Sequence, residues 1–279
     1  MGVLLSLLSA LCYGSSDFLA GHAARRGDPN AIVAIAQPFG IIAAAIAIVA
    51  LSAHSPSAGT LWWGALSGIG SGIGTVALYW GLSVARMSIV APVSAVLSAT
   101  LPAVTGALLG QHLPWLAWVG VAIGVPAVAL VSMQPAGGRG NRAAGLIAGL
   151  VAGVGFALLF IALDRAGTRA GGWPLLPGQV VASVIVAMWL VPSRNRPERK
   201  AWQLSWRGAM IAGALGGTAN LLYLAATGAG QLAVIAVITA LYPAVTVLLA
   251  RFILHEHWSR LQALGLLVSA AAVALISIS

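Results

Sequence analysis

The sequence predicts an all-α polytopic membrane protein of ten transmembrane helices in two inverted five-helix repeats. Three observations carry that expectation. Of 279 residues, 60% are hydrophobic and 7% are charged, against roughly 25% charged in soluble domains. The apolar residues fall in continuous runs of about 20, the length a helix needs to cross ~30 Å of hydrocarbon. The letters Pro-Ala-Val-Thr at 102–105 return at 243–246, and the segments after them return as well: an apolar run, a short break with His and Trp, and a second run ending in Ala-Val-Ala-Leu at 127–130 and 272–275. Ordered echoes at comparable separations indicate internal duplication.

Taken in order, the apolar runs lie near 2–22, 30–52, 61–84, 88–110, 114–133, 143–164, 173–191, 206–227, 231–253 and 260–278. They are continuously apolar and do not alternate, which favours helices over barrel strands. The Pro- and Gly-rich junction Gln134-Pro-Ala-Gly-Gly-Arg-Gly-Asn-Arg142 falls near the midpoint. It divides the chain into a first repeat, 1–134, a linker, 135–142, and a second repeat, 143–279. With five helices in each half, the second copy enters the membrane upside down relative to the first, as in many secondary transporters. Further echoes agree: Gln37 with Gln179, and Leu78-Tyr79 with Leu222-Tyr223.

The net charge of +9 does not point to nucleic acid, because its 14 basic residues sit singly or in short groups between apolar runs. Breaks after odd-numbered spans hold Arg25, Arg26, Arg86, Arg139, Arg142, Arg194, Arg196, Arg199, Lys200, Arg207, Arg251 and Arg260, and breaks after even-numbered spans hold Arg165 and Arg169. The positive-inside rule then makes the odd-numbered loops cytoplasmic and puts both termini outside. No basic residue precedes Arg25, so the first span lacks the n-region of a cleavable signal peptide and is expected to stay. The lone Cys12 permits no internal disulfide and reads as a buried thiol.

Chemistry-bearing residues are few. Asp17 is the one carboxylate well inside an apolar run, where a charge costs of order 2.5–3.5 kcal/mol on insertion scales. Either it faces a cavity and binds a cation or proton, or it reaches water or hydrogen-bonds Ser15, Ser16 or a helix end. Gln37 and Gln179 occupy matching places on spans two and seven, which an inverted repeat brings to opposite faces of one cavity; scaffold hydrogen bonding is the alternative. Asn220, Tyr223, Thr218, Thr239 and Tyr242 form a polar set on spans eight and nine, with Tyr79, Trp80 and Ser94 as partial counterparts. Aromatic rings with a few polar tips suit an amphipathic solute. Pro92, Pro102 and Pro243 interrupt spans four and nine and supply hinges or fixed kinks. His255, Glu256 and His257 are weak as a metal site, and Glu256 reads instead as pairing with Arg260 or Arg251 and capping the tenth span. No metal, cofactor or catalytic set is expected, and no Gly-x-x-x-x-Gly-Lys loop for ATP occurs.

The early Tyr13-Gly-Ser-Ser16, the Tyr242-Pro-Ala-Val-Thr246 span, His255-Glu-His-Trp258 and Gln262-x-x-Gly265 together resemble the EamA branch of the drug/metabolite transporter superfamily. The resemblance covers the whole chain. Pro243, Glu256, Gln262 and Gly265 match the family pattern near the ninth span. His255 stands where Gly is usual, and the first half departs further, with no acid at Gln111-His-Leu-Pro and three more residues between Tyr79 and Pro102 than between Tyr223 and Pro243.

The resulting expectation is a multi-pass inner-membrane secondary transporter, not an enzyme. It would export small amphipathic metabolites such as amino acids or related compounds by alternating access, driven by a proton gradient or working by facilitated diffusion, with the solute and the bilayer as partners and protons as the coupling ion in the first case. A membrane-embedded enzyme acting on a lipid-linked substrate is the alternative, and it would need more acids or histidines converging at one depth than Asp17 alone.

Overall fold

In a computed structural model the described residues are 1–24, 29–51, 54–84, 87–111, 114–132, 142–190, 199–254 and 259–277, and among them there are helices and no strands. The helices are α1 (Gly2–Ala24), α2 (Pro29–Leu51), α3 (Ala58–Val84), α4 (Met87–Leu108), α5 (Trp115–Ser132) and α6 (Arg142–Ala166). They continue as α7 (Leu175–Leu190), α8 (Arg199–Thr227), α9 (Leu232–Thr239), α10 (Tyr242–Leu254) and α11 (Arg260–Ser277). Among the described residues six stretches are long and apolar enough to cross a membrane, and four shorter apolar helices accompany them.

The expected ninth span is split. α9 ends at Thr239, and the chain turns through Ala240 and Leu241 before α10 opens on Tyr242-Pro243. The physical cause is local: the Pro243 ring lacks an N–H and would strike the carbonyl four residues back, which belongs to Thr239. The turn closes with shorter bonds, Leu241 N donating to Ile238 O at 3.1 Å and Ala244 N to Leu241 O at 2.9 Å. α4, by contrast, runs unbroken through both Pro92 and Pro102. No break in the helix accompanies either proline there, unlike at Pro243.

Helix ends follow sequence chemistry. α4 stops in a left-handed Gly110, φ 79°, with Gly110 N bonded to Ala107 O and Gln111 N to Gly106 O, the bond pattern that lets glycine close a helix. α11 opens on a reciprocal box in which Gln262 N donates to Ser259 Oγ at 3.1 Å and Ser259 N to Gln262 Oε1 at 3.0 Å. Ser259 therefore takes the capping role expected of Glu256, which lies outside the described residues with His255 and His257. So do Arg25, Arg26, Arg86, Arg139, Arg194, Arg196 and all of the expected linker except Arg142.

Helix packing is paired between the halves. α3 lies along α6 and α1 along α8; α3 meets α7 and α8 meets α2; α4 meets α6, while α9 and α10 meet α1. α5 packs on α11, and α2 on α7. Small residues permit the closest approaches. A Cβ on Gly70 would sit 2.5 Å from Gly155 O across the α3–α6 contact, and one on Gly213 would collide with Ala36 O across α8–α2. Without a hydrophobic drive between helices in lipid, such backbone proximity is a main source of attraction.

Candidate functional site

A cavity of about 210 Å³ lies among α1, α2, α3, α6 and α8, with single residues from α4, α7 and α10. It is many times the 10–15 Å³ that one water requires. Its walls come from the C-terminal half of α1 (Tyr13, Ser16, Asp17, Ala20), the N-terminal half of α2 (Ile32 to Gly40) and the C-terminal half of α3 (Ser71, Thr75, Leu78). These halves run toward the α1 C-terminus at Ala24, the α2 N-terminus at Pro29 and the α3 C-terminus at Val84, so the cavity sits toward the end of the bundle that those helix ends share. At the opposite end a buried cluster of Ala44, Ala47, Leu163, Leu175, Leu224, Leu232 and Ile235 closes the bundle.

Asp17 is exposed into this cavity. Among the described residues it forms no ion pair, and no Lys, Arg or His lines the cavity. Tyr13, one turn earlier on the same face of α1, donates its hydroxyl to Asn220 Oδ1 at 2.6 Å. Asn220 Nδ2 in turn donates to Gly216 O at 3.1 Å. The Tyr13 ring stands 6.0 Å from Tyr242 and 6.1 Å, edge-on, from Phe160.

Gln37 and Gln179 both line the cavity. Ser183 lies between them, its hydroxyl 3.2 Å from Gln37 Oε1 and 2.6 Å from its own-helix acceptor Gln179 O. Beside Gln179 a water-sized recess of about 10 Å³, lined in part by Ser67, Ser71 and Asn220, extends between α3 and α7.

Of the residues singled out from sequence, Asp17, Gln37, Gln179, Asn220 and Tyr242 meet at the cavity. Tyr223, Thr239, Ser94 and Trp80 do not line it. Tyr223 continues the Gly216–Asn220 stripe of α8 but lies one turn deeper, at the closed end, with its ring stacked 4.5 Å from Phe160. Thr239 and Ser94 are buried with unpartnered hydroxyls, and Trp80 is 41% exposed. Thr218 is exposed and bonds within α8 to Ala214 O. Tyr79 lies in α3 and Pro92 in α4, with side chains outside what the structure describes. Cys12, expected to be buried, is half-buried.

Sequence reasoning missed Ser183 and the Phe156–Leu159–Phe160 wall of α6, and it named Ser16 only as a partner for Asp17, whereas the Ser16 hydroxyl donates to Ala212 O at 2.8 Å. Spacing could have found Ser183, which stands one turn from Gln179. Nothing in an apolar stretch of α6 marks which of its faces lines a cavity.

The model of the EamA-like transporter family matches residues 1–133 and again residues 143–278. No curated protein sequence matches the chain. A solved structure described only as "Crystal structure of protein" superposes with a TM-score of 0.75 over 99% of this chain and 96% of that one, at 17% sequence identity. At that identity the likeness is one of fold.

Proposed function

The chain belongs to the EamA-like transporter family, and from that premise we propose that it is a secondary transporter exporting small amphipathic metabolites, such as amino acids or related compounds, across the cytoplasmic membrane. The observation that carries this reading is the cavity: it gathers Asp17, Gln37, Gln179, Asn220 and Tyr242 and is packed shut toward one end. A site reachable from one side only is what a carrier needs in each of its two states.

Two matches to one family model and the paired packing of the halves support an inverted repeat of five spans each. Exchange of packing between the halves would then close the end at which α1 and α3 finish and open the other. With the odd-numbered loops cytoplasmic by charge count, a cavity closed at the opposite end would serve as the inward-facing state, the one in which an exporter loads.

Asp17 is the group in the cavity for a proton to occupy, and among the described lining residues the other titratable side chains are Tyr13 and Tyr242. In this reading proton entry releases a cationic or polar solute and proton loss allows its reloading.

The test is uptake of a broad panel of labelled metabolites by the full chain in proteoliposomes, with and without an imposed pH gradient. Saturable flux of at least one solute, accelerated by the gradient in wild type and not in Asp17→Asn, is expected. Absence of flux for the whole panel sinks the transport reading; gradient-dependent flux that persists in Asp17→Asn sinks the coupling role.

A further inference from the structure

The two halves of the cavity are chemically unequal. The shift that sets Gln37 on Gln179 sets Asp17 on Leu159 and Ser16 on Leu158. Asp17 and Leu159 both line the cavity, so one repeat supplies an acidic wall and the other an apolar one, formed by Phe156, Leu159 and Phe160. The acid is flanked by rings, Tyr13 on its own helix face and Tyr242 6.0 Å from Tyr13. A carboxylate with aromatic faces beside it is a setting for an ammonium group, which both attract.

The same inventory discriminates against a second charge. Among the described residues the lining holds no cation and one anion. A solute carboxylate would therefore be desolvated without a cationic partner and close to Asp17, and burying an unpaired ion is strongly unfavourable. The amides of Gln37, Gln179 and Asn220 offer a neutral solute hydrogen bonds but no compensating charge.

We propose that the cavity selects a protonated amine on an apolar or aromatic body, over the zwitterion that carries a carboxylate beside that amine. The amine pairs with Asp17, and the body lies against Phe156, Leu159 and Phe160. This rests on the transport reading above and moves its solute class from the amino acids themselves to related amines without the carboxylate.

Three probes of one shape test it: phenethylamine, phenylalanine and 2-phenylethanol, measured by equilibrium binding to the purified full chain and by uptake into proteoliposomes. In wild type, phenethylamine should bind at least tenfold more tightly than either of the others. Asp17→Asn should weaken phenethylamine at least tenfold and leave 2-phenylethanol within about twofold. The wild-type ranking needs no variant, so it stands even if Asp17→Asn does not fold. Phenylalanine or 2-phenylethanol binding as well as the amine overturns the inference, as does an unchanged amine affinity in folded Asp17→Asn; either result leaves the transport reading intact. Binding of none of the three also overturns the inference, and the broad uptake panel then judges the transport reading on its own.

Discussion

Two tyrosines one turn apart in depth carry opposite hydrogen-bond balances. Tyr13 donates to Asn220 Oδ1 at 2.6 Å, whereas the fully buried Tyr223 hydroxyl has no partner. A net hydrogen bond contributes about 1 kcal/mol, and an unmade buried one costs the desolvation of its group. Tyr13→Phe should therefore lower the apparent unfolding midpoint by about 2–4 °C, the size scaling for about 1 kcal/mol in a chain of this length. Tyr223→Phe should leave it unchanged or raise it, because the ring still stacks on Phe160 while an orphan hydroxyl is removed. Thermal unfolding of both variants in one detergent checks the pair, and a larger loss for Tyr223→Phe would contradict the assignment. The two tyrosines look alike in sequence; only their partners separate them.

At the scale of the element, the contrast between α4 and the α9–α10 pair is the informative one. Both copies of Pro-Ala-Val-Thr lie in apolar spans, yet Pro243 follows a break and Pro102 sits in a continuous helix. The α9–α10 break abuts Tyr242 in the cavity and Gly14 of α1, where a Cβ would come within 2.5 Å of Tyr242 O. If the break is a working joint, Pro243→Ala, which restores an amide donor and allows α9 to run into α10, should slow transport several-fold and raise the unfolding midpoint. Pro102→Ala should change the transport rate by less than about twofold. Rates and melting curves measured on the same preparations decide it: equal effects of the two substitutions would mean that both prolines only shape fixed helices.

For the whole molecule, the packing of α1 on α8 and α3 on α6 around one cavity makes the access direction a testable property. Cysteines at Ser16 or Thr75, in a Cys12→Ala background, should react with a membrane-impermeant maleimide in inside-out vesicles at least tenfold faster than in right-side-out vesicles. A cysteine at Leu224, 2% exposed in the closing cluster, should react slowly from both sides. Faster labelling from outside would reverse the orientation read from the 12-to-2 distribution of basic residues. Either outcome is independent of which solute is carried.

The helices were legible in the sequence because hydrocarbon imposes one requirement on every backbone: its polar groups must bond within the segment, so length and apolarity announce a span. The cost of a charge in that setting likewise drew attention to Asp17, and the echo of Gln37 by Gln179 paired two cavity residues before any coordinates. Depth was not legible. Asn220 and Tyr223 share one stripe of α8, and whether a position on it meets open space or Phe160 depends on how α6 packs across it. The apolar wall of α6, the bridging Ser183 and the unequal fates of Pro102 and Pro243 were decided the same way. Sequence by itself determined which segments are apolar helices and which rare polar groups they carry. Tertiary structure alone decided which of those groups face one another, because in a chain apolar on nearly every side the pattern of hydrophobicity no longer marks an inside, and contact between helices does.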